Sequence, residues 1–325
     1  MYDKPILAII RENLNEEGVL PRDFSLPQDP DENSGIPFAD GAEDGIACFH
    51  TASRPLGDEE TDLLIDALNA MVGGHMGTAD ELFLKLTKSL RACEFAGNLS
   101  SLIEENAEII DPAHAYSYGM HLITMARDKE LVKIGLAMHI NAGEEAVRPF
   151  RQIITDLAYC NEFTWFCLPI IEKWADGNDR IFEIAKHVYG WGRIHALAYL
   201  EPSTYEIRRW VLKEGVHNDV LPDYTAFYAW EKSGAQDLLK GKLSAEDFAS
   251  IREIMSALLS EEPVLGLSII KDPKSAVRAF LDQARYFKLG QEDYRVISDI
   301  RVRYESGEEK DELIVKLCND LINGM

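Results

Sequence analysis

Residues 178–215 constrain the fold more than any other stretch, because they hold three short amphipathic helical patterns divided by two tight turns. The first is capped by Asn178 or Asp179 and places Ile181, Ile184, Ala185 and Val188 on one side. The second places Trp191, Ile194, Leu197 and Ala198 together and stops at Glu201-Pro202. In the third, Ser203 and Glu206 have capping-box spacing, Ile207, Trp210 and Val211 share a face, and Gly215 is expected to end the helix at positive φ. The pattern recurs. Trp165 returns as Trp191 and Ile181 as Ile207, each 26 residues on, and Leu168-Pro169 returns as Leu221-Pro222 after 53. One helix pair cannot bury its apolar face alone, so a short helical period predicts an all-α solenoid of stacked antiparallel pairs.

The periodicity is almost continuous from Gly57 to the end, which sets the expected organisation as an arm or cap over 1–57 and a repeat domain over 58–325. The arm is rich in Gly and Pro and carries a net charge near −7. It is expected to be irregular, with a short helix carrying Ile6, Leu7, Ile9 and Ile10 and a short strand over Gly45–His50. A continuous helix is expected over Val147–Asn161, others over Leu99–Ile110 and Ser244–Leu259, and three closing helices after Lys274.

Charge narrows the partners. The formal net charge is −23, and nucleic-acid affinity comes mainly from Lys and Arg neutralising phosphates, so neither nucleic acid nor an anionic membrane is an expected partner. No apolar run is long enough to span a bilayer and the first residues lack a signal-peptide pattern, which predicts a soluble cytoplasmic protein. Five scattered cysteines without a C-x-x-C spacing predict buried free thiols in a reducing compartment.

The run Gly190-Trp191-Gly192-Arg193-Ile194-His195-Ala196-Leu197-Ala198-Tyr199-Leu200 resembles the first helix of a HEAT-type repeat. With the Leu-Glu-Pro turn that follows, it is also similar to a set of bacterial proteins, some labelled limonene hydroxylase. The first resemblance implies a right-handed HEAT- or ARM-like solenoid whose second helices line a concave binding face. The second implies, as an alternative, an enzyme with a pocket between the arm and the solenoid.

Hydroxylation requires an oxygen-activating centre, and the residue patterns predict neither a metal nor a cofactor. No haem-ligand cysteine context, no G-x-G-x-x-G after a strand and no paired Glu-x-x-His motif is present. Glu183 and His187 lie four apart and read as an exposed helical ion pair, and His114 and His121, seven apart, read as a packed or surface pair. His195, within an apolar helix, reads as a core histidine donating to a backbone carbonyl. Asp29, Asp31, Asn33 and Asp40 have spacing faintly like a calcium loop, but Ser34 stands where that loop requires Gly. The five tryptophans of the middle third read as packing between repeats.

These observations predict a non-catalytic scaffold or adaptor that binds a protein or peptide. At about 100° per residue, the face opposite the apolar column presents Tyr205, Arg208, Arg209 and Leu212 on the third helix of the central stretch. It presents Phe182 and Lys186 on the first, and Arg148, Gln152 and Tyr159 on the Val147 helix. Aromatic and basic groups of this kind on an acidic protein would suit an acidic partner.

Overall fold

The computed structural model describes residues 1–27, 38–51, 54–261 and 264–324. All the regular secondary structure among these residues is helical, with no strand among them. The chain divides into two compact units, Met1–Leu200 and Glu201–Met325. The calcium-like spacing at Asp29, Asp31 and Asn33 lies outside the described residues.

The first unit contains α1 (Ile6–Glu12), α2 (Ala42–His50), α3 (Asp58–Val72), α4 (Met76–Leu86), α5 (Ala92–Glu105) and α6 (Pro112–Met125). It continues through α7 (Lys129–Ala137), α8 (Glu144–Val147), α9 (Arg151–Ala158), α10 (Thr164–Ile171), α11 (Gly177–His187) and α12 (Trp191–Tyr199). Sequence neighbours pack as hairpins: α3 with α4, α6 with α7, and α11 with α12. Helices α6 and α7 approach closely where Gly119 and Gly135 meet; a Cβ on Gly135 would lie 2.6 Å from the Gly119 carbonyl oxygen. The first residues belong to this packing. Helix α1 lies against α6 and α9, with Ile6 and Ile10 fully buried.

The strand expected over Gly45–His50 is instead part of α2. Ile46, Ala47, Cys48 and Phe49 form a continuous apolar run, but burial falls on Ala42, Asp44 and Gly45, while Ile46, Cys48 and His50 are exposed. Two glycines make this placement possible. Gly41 starts the helix at φ 76°, and a Cβ there would lie 2.5 Å from the Asn161 carbonyl oxygen. Gly45 lies flat on the Trp191 indole, where a Cβ would fall among the ring atoms. The continuous helix expected over 147–161 is also broken. Pro149 has no N–H to donate, and a 3-10 turn at Arg148–Phe150 separates α8 from α9.

The second unit contains α13 (Tyr205–Glu214), α14 (Asp223–Ser233), α15 (Ala235–Leu238), α16 (Ala245–Leu258), α17 (Pro273–Ala284), α18 (Gln291–Glu305) and α19 (Glu312–Asn323). Here α13 pairs with α14, α18 with α19, and α16 touches α13, α14, α17 and α18. Two cap assignments shift. Thr204, not Ser203, caps α13, its hydroxyl accepting from the Ile207 N–H at 3.2 Å. Gly215 keeps a helical φ of −61°; its small size matters because a Cβ would crowd the Val211 carbonyl and Ala229. The two Leu-Pro pairs are not equivalent either, since Pro169 sits inside α10 whereas Pro222 precedes α14.

Candidate functional site

Lys133 organises the interior of the first unit. It is wholly buried on α7, and its ammonium meets Asp44 at 2.6 Å, Glu162 at 2.7 Å and Glu130 at 2.8 Å. Burial opposes its charge, but Glu130, Glu162 and Asp44 together hold its pKa well above the ordinary lysine value. The same carboxylates are tied into neighbouring backbone. Glu162 accepts from the Gly41 N–H at 2.7 Å and Glu130 from the Ala92 N–H at 2.7 Å. Arg91, just before α5, adds contacts to Asp44 at 2.8 Å and Glu43 at 3.0 Å. Asp44, Glu130 and Glu162 lie close enough together to ligate a cation, and the Lys133 ammonium occupies the centre of that group. The cluster therefore acts as a fastener that fixes α2 against α5 and α7.

That fastening brings two thiols together. Cys48 on the exposed side of α2 and Cys93 in the first turn of α5 line one cavity, and each shifts the other's pKa. The neighbouring Cys93 side chain, aided by the positive charge of Lys133, lowers the Cys48 pKa against burial and the Asp44 and Glu94 charges. Cys93 shifts the opposite way, raised by the Cys48 side chain and by burial. Cys48 is the exposed thiol of the two and Cys93 the half-buried one. Both line a cavity of about 150 Å³ with Ala47, Thr51, Leu56 and Leu90 and the charged Arg54 and Glu94. A second hollow of about 320 Å³ shares Ala47, Thr51 and Glu94 with it and extends past Ile46 and Arg91.

The remaining cysteines behave differently. Cys160, Cys167 and Cys318 are buried, and burial raises each thiol's pKa. The expectation of five buried thiols therefore holds for three, while Cys48 is exposed and Cys93 half-buried. His195 is buried among the rings of Phe49, Trp165 and Trp191, and burial lowers its pKa to about 4 against the pull of Asp44.

The residues proposed from sequence as a binding stripe fall in both units. Arg148, Gln152, Tyr159, Phe182 and Lys186 belong to the first, and Tyr205, Arg208, Arg209 and Leu212 to the second. Most are engaged within their own unit. Gln152 donates to Asp156 at 2.7 Å, Lys186 pairs with Glu183 at 2.6 Å and covers the Phe182 ring, and Tyr159 meets the edge of His187. Arg148 pairs with Glu145 at 2.5 Å. Arg208 donates to the Pro202 carbonyl at 2.9 Å, and Arg209 ties α13 to Asp247 of α16 at 2.5 Å. Phe182 and Leu212 are buried, contrary to the projection, because helices in these units have neighbours on more than one side. Tyr205 remains 77% exposed.

Sequence reasoning passed over Cys48 and Cys93 because they lie 45 residues apart, and only the packing of α2 on α5 joins them. A usable signal was present: both occupy short Ala-Cys segments, Ala47-Cys48 and Ala92-Cys93, outside the strongly apolar columns. No protein-family model, curated protein or solved structure matches the chain. Among the described residues, no helix is long and apolar enough to cross a membrane.

Proposed function

We propose that the cavity between α2 and α5 is a thiol–disulfide exchange site acting on low-molecular-weight disulfides. The observation that carries this reading is the placing of Cys48 and Cys93, contributed by two helices, on the wall of one cavity, with Cys48 the exposed thiol of the two. The Cys48 thiolate attacks one sulfur of a disulfide RSSR, forming a mixed disulfide and releasing RS⁻, which takes up a proton. Cys93, deprotonated in turn, attacks the Cys48 sulfur and releases the second thiol. The balance is two protein thiols plus RSSR giving one Cys48–Cys93 disulfide and two RSH, and a thiol reductant reverses it. The Lys133 cluster contributes by position: it holds α2 against α5 and places positive charge near the Cys48 sulfur.

This reading takes up the alternative of an enzyme pocket between the N-terminal arm and the helical repeats and assigns it thiol chemistry in place of hydroxylation. The test follows reaction with an aromatic disulfide that releases a coloured thiolate. The wild type should release two coloured thiolates quickly per chain, the second without an added reductant. Cys48→Ser should lose the rapid phase. Cys93→Ser should release one and retain the mixed disulfide. Equal rates in all three proteins, with both variants folded, would refute the exchange reading.

A second reading, docking of a protein partner on stacked helical hairpins, draws support from the exposed Tyr205 beside Arg208 on α13 and from the sequential hairpins of each unit.

A further inference from the structure

The cavity that holds Cys48 and Cys93 carries charge as well as thiols, and its charges are unequally met. Two arginines border it and the adjoining hollow, and both are already paired. Arg54 is held by the two oxygens of Glu60, at 2.7 and 2.6 Å. Arg91 meets Asp44 at 2.8 Å, Glu43 at 3.0 Å and Glu130 at 3.4 Å. The buried Lys133 is shared by Asp44, Glu130 and Glu162. These three cations thus meet five carboxylates before Glu94 is counted. Glu94 is exposed and lines both the cavity and the hollow. One of its oxygens accepts from the Arg91 N–H at 2.8 Å, Arg54 senses it through space, and among the described residues no cation pairs with it directly. The imbalance reaches the thiols, since Cys48 feels the anions Asp44 and Glu94 against the one cation Lys133.

Resting on the exchange reading above, we infer that this cavity selects small aliphatic disulfides that carry an ammonium group close to sulfur, with Glu94 as the specificity-determining residue. The ammonium supplies the counter-charge that Glu94 lacks. Glu94 follows Cys93 in the chain and shares the cavity wall with Cys48, so an ammonium paired with it keeps a sulfur two carbons away within the cavity of both thiols. A substrate carboxylate would enter an excess of negative charge, and would have to displace Glu60 from Arg54 or Glu43 from Arg91 to reach a cation. A neutral disulfide gains no ion pair. Size acts in the same direction: volumes of about 150 and 320 Å³ lie at or below the small end of the ~300–1,000 Å³ range of ligand pockets, which suits a compact substrate. Cystamine, the bis-aminoethyl disulfide, has this form. Two protein thiols and one cystamine give one Cys48–Cys93 disulfide and two molecules of cysteamine, with every proton and electron accounted for.

Three disulfides of similar size and different charge test this at fixed ionic strength: cystamine, a dication at neutral pH; bis-hydroxyethyl disulfide, neutral; and dithiodipropionate, a dianion. Loss of the Cys48 and Cys93 thiols of the full chain is followed by alkylation and peptide mass mapping. Each rate is divided by that of mercaptoethanol with the same disulfide, which removes the reagents' own reactivities. Cystamine should react fastest and dithiodipropionate slowest, with about fivefold between cystamine and the neutral disulfide, the scale of one exposed ion pair. Glu94→Gln keeps an acceptor for the Arg91 N–H and removes the charge. It should erase the preference, while the neutral disulfide reacts at least as fast as with wild type. Glu105→Gln makes the same charge change at the other end of α5 and should leave the preference intact. Corrected rates that are equal, or that favour the dianion, would overturn the selectivity and leave the exchange reading standing. So would a preference that Glu94→Gln retains, or that Glu105→Gln removes equally. No loss of either thiol with any of the three disulfides would overturn both.

Discussion

Replacing Lys133 with Met removes the ammonium while keeping an unbranched side chain of similar length. At an effective dielectric of about 20, each contact of 2.6–2.8 Å is worth about 6 kcal/mol of gross attraction, about 18 in all. The three carboxylates lie within 4.8 Å of one another, so their mutual repulsion is about 10 kcal/mol on the same scale. The desolvation of Lys133 takes up several of the remaining kcal/mol. The variant loses the attraction and keeps the repulsion, which proton uptake by the carboxylates partly relieves. Breaking a buried ion pair typically costs 3–5 kcal/mol, and about 4 kcal/mol is expected here. The assay is urea unfolding followed by circular dichroism, for wild type and Lys133→Met, at neutral and mildly acidic pH. The deficit should narrow on acidification. In the wild type Asp44 is held below its ordinary pKa, so protonating it costs stability; in the variant the crowded carboxylates gain from protonation. A deficit under about 1 kcal/mol, or one that grows in acid, would refute the assignment of Lys133 as the fastener.

Gly45→Ala should destabilise by about 1–3 kcal/mol, because the new methyl meets the Trp191 ring; equilibrium unfolding measures it, and an unchanged midpoint would contradict the packing of α2. His195 and Asp40 give opposite pH dependences. Burial lowers His195 to about 4, so its contribution is complete above the ordinary value of 6.5 and is lost as pH falls towards 4, by about 3 kcal/mol in total. Burial raises Asp40 to about 6, against the Leu26 N–H it accepts, so its contribution is present below 3.8 and is lost as pH rises through 6, again by about 3 kcal/mol. Stability of His195→Gln should therefore fall from pH 4 to 6 relative to wild type, and that of Asp40→Asn should rise. Arg209→Glu should cost about 1 kcal/mol by opposing Asp247, whereas Arg208→Glu should stay within about 0.5 kcal/mol; equal effects in thermal unfolding would contradict the assigned α13–α16 contact.

The helical character was legible because it is local. Ile181, Ile184 and Ala185 on α11, and Ile207 and Val211 on α13, are buried as their spacing requires. Trp191 is buried as well, but its partner is Gly45 of α2, so a glycine more than a hundred residues away explains the packing of a tryptophan read as part of a repeat. The error at α2 has the same origin. Over six residues, a short apolar run cannot separate a strand from a helix, and tertiary contacts decided between them. Lys133 was illegible for a related reason: in sequence it is one more cation on an amphipathic helix, and its burial depends on Asp44 and Glu162 arriving from other segments. The binding stripe projected from Arg209 and Leu212 assumed one buried face per helix, whereas α13 contacts both α14 and α16.

The central claim is that Cys48 and Cys93 act as one dithiol couple, and its most direct measurement is differential alkylation with peptide mass mapping. The protein is equilibrated across a series of glutathione redox buffers and the two oxidation states of each cysteine are counted. The account predicts that Cys48 and Cys93 lose reactivity together along one two-electron curve, joined in a single cross-linked peptide, while Cys160, Cys167 and Cys318 stay reduced. Independent curves for Cys48 and Cys93, or Cys48 accumulating as a stable glutathione adduct with Cys93 still reduced, would contradict it.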